Sequence, residues 1–551
     1  MRQFIKRSTG LFAIPLQGLR ELIARRWFRR VVGGLSAAVL GLWVVAACVL
    51  QFWLFPHLDD YREPLADAVG KALGLKVEVG QISGGWAHFH PRFELSDVVV
   101  FDAKHQPAVQ LSQVKAEIAW MPLLTGSLGF RSLMVETPSL DFRRDAEGHL
   151  FLSGLPLDGG GDFRVDALLE QGEVNLRSEK VVWSDGLRRA PSLTLSDVSL
   201  RLDSRGAQHQ LDLALTPPDV LGKPLGVQAG WTGRSFGDWA TWQTKITLKT
   251  KEIDLAGWSK WIDYPVPIAS GKANINLTIA AQGLDLTQAD GAIAITDMKA
   301  QLAPGIKSLQ LKRFSSEIDF HRQADGKSQQ LKLEGITYTD AAGKTEPPTD
   351  LFIKRVLGFA DEKPTQDITF RASRLDLARL REVVESLPIP EQLRQQLNKT
   401  SPSGTLEKFK AHGLVIGDAL VEYSAQGAFK DIAIRSDDGL KFVKGLTGKI
   451  DMTHREGKLV LNSENSVLAA PNVLPINEVP LDQLTGQISW KKTVDLIAGK
   501  VKGLQLRNAD LQAEANGTWS GEMSQMASDM DKAGTIDMKI GFDYAKTVSG
   551  W

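Results

Sequence analysis

The chain has 551 residues, with 65 basic and 65 acidic side chains and so no formal net charge, which removes the concentrated positive field that nucleic-acid binding needs. Its single cysteine, Cys48, excludes an internal disulfide and any cysteine-based metal cluster. The length exceeds one ordinary core and implies either several domains or one extended repetitive architecture.

The first thirty residues are basic, with Arg2, Lys6, Arg7, Arg20, Arg25, Arg26, Arg29 and Arg30 against Glu21 alone. From Val31 to Phe55 no residue carries a formal charge, and at about 1.5 Å rise per residue this run makes roughly 37 Å of helix, enough to cross a bilayer with some tilt. Asp59 and Asp60 follow it. The positive-inside bias therefore puts residues 1–30 in the cytoplasm and everything after residue 56 across the membrane. The core is too long for a cleaved signal peptide and ends in Gln51-Phe-Trp-Leu-Phe55 rather than in small residues. Val45-Ala-Ala-Cys48 has the outline of a lipoprotein processing box, but the uncharged run continues past the cysteine to Phe55.

Next, residues 63–73 read as a short amphipathic helix with Pro64 in its first turn and Gly74 as its stop. A strand over 76–79 follows. From there period-two alternation dominates: Val114, Ala116, Ile118 and Trp120; Leu211, Leu213 and Leu215; Ala273, Ile275, Leu277 and Ile279; Ile368, Phe370 and Ala372; Leu459 and Leu461. The last such run is Ile536, Met538, Ile540, Phe542 and Tyr544, with Asp537, Lys539, Gly541 and Asp543 between them. Asp185-Gly186, Asp325-Gly326, Asp438-Gly439 and Glu456-Gly457 read as turns between antiparallel strands. Residues 91–100 echo 191–200, and the apolar phase shift around Leu-Ser-Asp-Val in both predicts a β-bulge. Residues 446–451 likewise recur in 484–489. Over 375–398 the pattern turns helical: Asp376 caps a helix to Leu387, Pro388-Ile-Pro390 breaks it, and a second helix runs from Glu391 to Asn398. Gly159-Gly-Gly161 and residues 343–350 read as flexible loops and soft boundaries.

Little here carries chemistry. His88 and His90 would project from one strand face and offer two imidazoles, but no third ligand stands near, and solvated polar positions explain them. Walker, dinucleotide, nucleophile-elbow and His-Glu-x-x-His patterns are absent. The carboxylates alternate with apolar residues or sit in turns, as on solvated strands, although a glycosidase-like pair stays open. Trp231, Trp239, Trp242, Trp258 and Trp261 cluster in one region, with packing against a sheet favoured over carbohydrate stacking. No catalytic residue, cofactor or metal is expected.

The order of a basic N-terminus, one apolar span, Pro56-His57-Leu58-Asp59, a helix ending Ala72-Leu73-Gly74, and Val77-Glu-Val-Gly-Gln-Ile-Ser-Gly-Gly-Trp86 resembles the beginning of YhdP-family proteins, which are AsmA-like. Pro91-Arg-Phe-Glu-Leu95, Leu375-Asp-Leu377, Leu387-Pro-Ile-Pro390 and Ser403-Gly-Thr-Leu406 extend that resemblance over most of the chain. It implies a mainly β fold: a transmembrane helix, then an extended, twisted, mostly antiparallel sheet curled into an apolar groove, with a few short helices. The expected division is a basic cytoplasmic segment (1–30), the transmembrane helix (31–55), an AsmA-like N-terminal region (56–158), β-groove (159–373), a helical insertion (374–400) and continuing β-groove (401–551).

The resemblance further implies a single-pass protein of the bacterial inner membrane that carries phospholipid towards the outer membrane. Its partners would be phospholipid, the inner membrane directly, and the outer membrane or a component on that side. Alternation makes this physically reasonable, because a long apolar face with few helices to cover it needs other cover. At one strand per ~13 residues, roughly 38 strands at ~4.8 Å spacing would extend about 180 Å. Ile536, Met538, Ile540 and Phe542 are the candidate lipid-groove residues. Two other classes stay open: a scaffold or assembly factor for outer-membrane proteins, using strand edges, and an envelope polysaccharide-binding or processing protein. Family members are usually longer, so a chain stopping at Trp551 just after a strand is expected to be an N-terminal portion or a short member.

Overall fold

A computed structural model of the chain describes residues 26–551 apart from 74–75, 102–105, 121–128, 157–168, 170, 388–390, 436–441, 470–477, 523–533 and 547–551. The basic residues before Arg26, the Gly74 stop, the Gly159-Gly-Gly161 loop, the Pro388-Ile-Pro390 break and the Asp438-Gly439 turn lie outside the described residues. The described strands number 25 and belong to one open, twisted antiparallel sheet with few helices. This is fewer than the roughly 38 expected from ~13 residues per strand, because strands run to as many as 17 residues and several connections are long. The chain divides into two compact units, residues up to 141 with 151–179, and residues 142–150 with 180–551.

In the first unit a helix over Arg26–Val49 widens into a π turn at Leu50–Leu54, tightens over Phe55–Tyr61, and continues as Arg62–Leu73. The stretch is long and apolar enough to cross a membrane, and Leu35, Val39, Leu42 and Val45 are exposed on it. Its later part meets the first hairpin, Val77–Ala87 paired with His90–Phe101. Trp43 packs its ring against Trp86, Phe89 and Trp120. Phe55 packs against Trp86 and Phe93, and the Trp86 indole donates to the Gln51 side chain. Gly84 permits this approach, since a Cβ there would lie 2.4 Å from the Phe55 ring. Strands Pro107–Ile118 and Phe130–Arg144 extend the ladder.

The second unit is a meander. From Leu193–Arg205 to Thr535–Ala545 every strand pairs antiparallel with the next one in sequence, with no crossover. Its two edges differ. One carries tight turns such as Gly206-Ala207, Gly283-Leu284, Asp361-Glu362, Gly417-Asp418 and His454-Arg455. The other carries long connections, including 255–267 and 377–402, and with them the helices Leu255–Trp258, Leu377–Val384 and Glu391–Thr400.

Bulges recur towards the long-connection edge. Asp197, Glu252, Lys408 and Asp431 take positive φ where the register shifts, and Gly335 and Gly503 do the same. Asp97 in the first unit also takes positive φ, but the register runs on unshifted past it, so of the two Leu-Ser-Asp-Val sites only the one at Asp197 carries the expected bulge. Each bulge bends its strand and sharpens the local twist, so a line of them bends the sheet consistently.

Two clusters close the long-connection edge. Leu255 and Trp258 join Leu193, Leu221, Ile253, Ala273 and Ile295, with the Trp258 indole donating to the Leu221 carbonyl. Farther along, Phe429, Ile432, Leu461, Leu481 and Leu484 form a second cluster against which Leu377 packs. Asp376 caps the helix Leu377–Val384 by accepting from the Arg379 amide, as the sequence predicts, although the helix ends before Leu387.

Arg379 pins that helix. Its guanidinium meets Asp340 at 2.7 Å and Glu346 at 2.9 Å, and also contacts Glu382. The Lys344 amide and then the Arg379 charge hold the Asp340 carboxyl below the ordinary range despite some desolvation. A carboxylate whose folded pKa is depressed contributes stability that is complete above its unfolded pKa and lost as pH falls through the folded one. Acidification through that range is therefore expected to release the helix before the sheet melts. Hydrogen exchange across 377–384 at neutral and acid pH checks this, and Arg379→Met should raise exchange at neutral pH and abolish most of the pH step. A second network ties Asp185 to Arg144 and Arg188; burial pushes its carboxyl pKa upward, but those partners outweigh burial and hold it below its usual value.

Candidate functional site: an apolar row across the sheet

In an antiparallel ladder directly opposed residues project from the same face, so the register can be followed from strand to strand. Starting at Leu202, the successive partners are Leu211, Ala229, Ile246, Ile279 and Ala289. The line continues through Phe320, Leu331, Ile353, Phe370, Ala411 and Ala425. It ends with Met452, Gly457, Trp490, Gly499, Trp519 and Ile536. No polar side chain interrupts it from the strand Leu193–Arg205 to the strand Thr535–Ala545.

One residue along each strand lies the opposite face. There the partners run Arg201, Asp212, Gln228, Thr247, Thr278 and Asp290, then Asp319, Lys332, Phe352, Arg371, Lys410 and Gln426, and finally Asp451, Lys458, Ser489, Lys500, Thr518 and Asp537. Only Phe352 is apolar, and the Arg371 guanidinium covers its ring at 5.0 Å. One face is thus built for water and the other against it.

The apolar row is neither sealed nor fully open. Most of its members are half-buried among their neighbours, while Ile246 and Ile353 are each 38% exposed. Towards its far end, tryptophans lie across glycines: a Cβ on Gly457 would fall 2.1 Å from the Trp490 ring, and one on Gly499 2.1 Å from Trp519. The indoles fill what the glycines leave empty. This corrects the expectation that Glu456-Gly457 is a turn. The turn is His454-Arg455, and Gly457 sits inside the strand Glu456–Ala469 beneath an aromatic ring.

A small apolar cavity of about 190 Å³ lies beneath the helix Leu377–Val384, lined by Leu311, Phe314, Ile336, Leu351, Leu380 and Val383 among others. A wider cleft of about 1190 Å³ lies against the other face, where Lys249, Lys251, Asn274, Asn276 and Glu317 are among the residues that line it. That cleft has a mixed lining, with Pro224, Ala292 and Ala294 beside those polar side chains, and it shares no residue with the apolar row.

Ile536, Met538, Ile540 and Phe542 all fall on the apolar face of the strand Thr535–Ala545, opposite Trp519, Gly517, Ala515 and Ala513. Ile536, Ile540 and Phe542 are exposed and Met538 half-buried. Alternation alone also picked out Leu211, Ile279 and Phe370, which the register joins to the same row. It did not reveal Ile353, Ala411 or Met452, whose place depends on pairing.

Other expectations change. His88 and His90 do not share a strand face. His88 occupies the two-residue turn with φ of 59°, whereas His90 begins the next strand, its Nδ1 3.2 Å from the Ile118 carbonyl and its Nε2 2.7 Å from Arg131. Trp258 and Trp261 pack into the edge cluster, and Trp231 stacks on Trp242 and His209 with centroids 5.4 and 5.2 Å apart, while Trp239 is exposed. On the polar face Asp290, Asp319 and His321 bring ligand-type atoms within 4.8 Å of one another. His321 Nε2 lies 2.8 Å from Asp319 and Lys332 pairs across from it, so an ion-pair network accounts for this trio.

The arrangement defines a class of protein: a β-meander carrying one membrane-length apolar helix and an open face on which an apolar row runs from strand to strand. The chain belongs to the YhdP family, whose model, described as YhdP protein, matches residues 10–549. It is similar to the intermembrane phospholipid transporter YhdP of Escherichia coli (strain K12), with 22% identity over 514 residues covering 88% of this chain and 38% of that protein. The chain thus spans well under half the length of this curated relative. No solved structure matches it.

Proposed function

We propose that the chain is a membrane-anchored, non-enzymatic carrier in which phospholipid acyl chains lie across the apolar row on the way between the inner and outer membranes. The observation that carries this reading is the unbroken row itself: a half-covered apolar strip crossing eighteen paired strands is costly in water and is satisfied by hydrocarbon. The relative's transport of phospholipid between membranes supports it. The apolar helix fixes the chain in the inner membrane, with its basic N-terminus in the cytoplasm and the sheet in the periplasm. Reaching the outer membrane, or a component there, belongs to the same reading. Use of Trp258 and Trp261 in packing leaves the polysaccharide alternative with fewer exposed indoles.

Full-length protein, purified in mild detergent and washed extensively, should yield phospholipid on extraction and mass spectrometry. Ile536, Met538, Ile540 and Phe542 are proposed as groove positions at the end of the row, and Ile540→Asp is expected to lower lipid occupancy by a few-fold without affecting membrane insertion. Protein that is well folded but lipid-free would overturn the proposal.

A further inference from the structure

The two edges of the apolar face cannot treat a lipid alike. Along the long-connection edge the face runs into the clusters around Trp258 and Leu481, with the helix Leu377–Val384 laid over it. Where those clusters and the helix lie, buried apolar side chains cover the face. The tight-turn edge is different. Two residues beyond Phe320 on the same face stands Arg322, which pairs with Gln329 and through it with Arg355, itself two residues beyond Ile353. Farther along, Arg455 stands two residues from Gly457, and the Lys492 amide, two residues past Trp490, bonds to its carbonyl. Three cations, Arg322, Arg355 and Lys492, therefore stand on the apolar face immediately outside the apolar row, and Arg455 occupies the turn beside Lys492, its guanidinium donating to the His454 ring. Arg322 meets Asp285 at 3.1 Å; among the described residues Arg355, Arg455 and Lys492 form no ion pair.

We infer that this rim binds the phosphates of phospholipid headgroups and favours headgroups of net negative charge, so that lipids lie with their heads over the tight-turn edge and their tails towards the helices. The inference rests on the carrier reading above and adds to it an orientation and a headgroup class. Guanidinium forks match phosphate oxygens bidentately and lysine adds a point charge, while the adjacent row accepts the acyl chains. A zwitterionic headgroup also presents a phosphate, but its own cation competes with the rim.

The test uses the full-length protein in detergent, equilibrated with an equimolar mixture of phosphatidylglycerol and phosphatidylethanolamine, re-isolated, and its bound lipids counted by mass spectrometry. Wild type should be enriched in phosphatidylglycerol. The triple substitution Arg355→Glu, Arg455→Glu and Lys492→Glu should cut that enrichment roughly 3- to 10-fold, and the milder glutamine set should cut it less. Lys458→Glu with Lys500→Glu, on the polar face, should leave it unchanged. If the rim variants bind as much lipid as wild type in the same proportions, the rim assignment is overturned while the carrier reading stands. If wild type takes up no lipid of either kind, the carrier reading falls and the rim assignment with it.

Discussion

Ile353→Asp should strip most of the bound lipid from the protein, by about tenfold or more. Ile353 sits mid-row between Leu331 and Phe370 and is 38% exposed, so a carboxylate there can stay hydrated in the empty protein and the fold should survive. With acyl chains in place the same charge would have to be desolvated with no partner, at a cost of several kcal/mol. The neighbouring Phe352→Asp supplies the contrast. Its side chain projects from the other face, between Lys332 and Arg371, where a negative charge gains two cationic neighbours and loses only the ring beneath Arg371. Lipid counts from the two variants decide the matter: a loss confined to Ile353→Asp identifies the face, and equal losses would point to damaged folding and count against the row.

The largest effect on stability should come from Trp258→Ala. The indole is buried with Leu221, Ile253 and Ala273 and donates to the Leu221 carbonyl at 3.1 Å. Truncating a buried aromatic typically costs about 3–5 kcal/mol through lost transfer energy and the cavity left behind, and here a buried carbonyl also loses its donor. Trp258→Phe should retain much of the packing and lose mainly the hydrogen bond. Thermal unfolding of the full chain in detergent, followed by tryptophan fluorescence, separates the two. A Trp258→Ala protein as stable as wild type would mean that the cluster does not hold the long-connection edge.

Much of this was legible in the residues because it is local. Period two assigns faces without knowledge of neighbours, so Leu211, Ile279 and Phe370 could be placed on an apolar side from their own strands. The Asp376 cap and the Leu-Ser-Asp-Val bulge at Asp197 are equally local. The row was not legible, since alternation says which residues share a face on one strand and nothing about which of them stand opposite each other on the next. Register here is set by turn lengths and bulges, and a bulge at Glu252 or Lys408 leaves no mark in composition. Gly457 shows the limit well. After a glutamate it looks like a turn glycine, and only the strand partner Trp490 explains why a side chain is missing there. Arg355 and Lys492 were indistinguishable from any solvated strand charge until pairing put them beside the row, and His88 looked like a strand residue because the turn it occupies has no glycine.

From Leu193–Arg205 onward a described strand's partners are its neighbours in sequence. A chain of that kind has low contact order for a β protein, and loop closure never has to bridge distant segments before contacts reward it. Each hairpin can dock on the edge left by the one before as the polypeptide emerges, which limits how long any apolar strand waits without a partner. The same property shapes how such a sheet tolerates change. Adding a whole hairpin lengthens the row by two members and disturbs nothing upstream, whereas a one-residue insertion within a strand turns its following side chains over and sets lysines and aspartates on the apolar side.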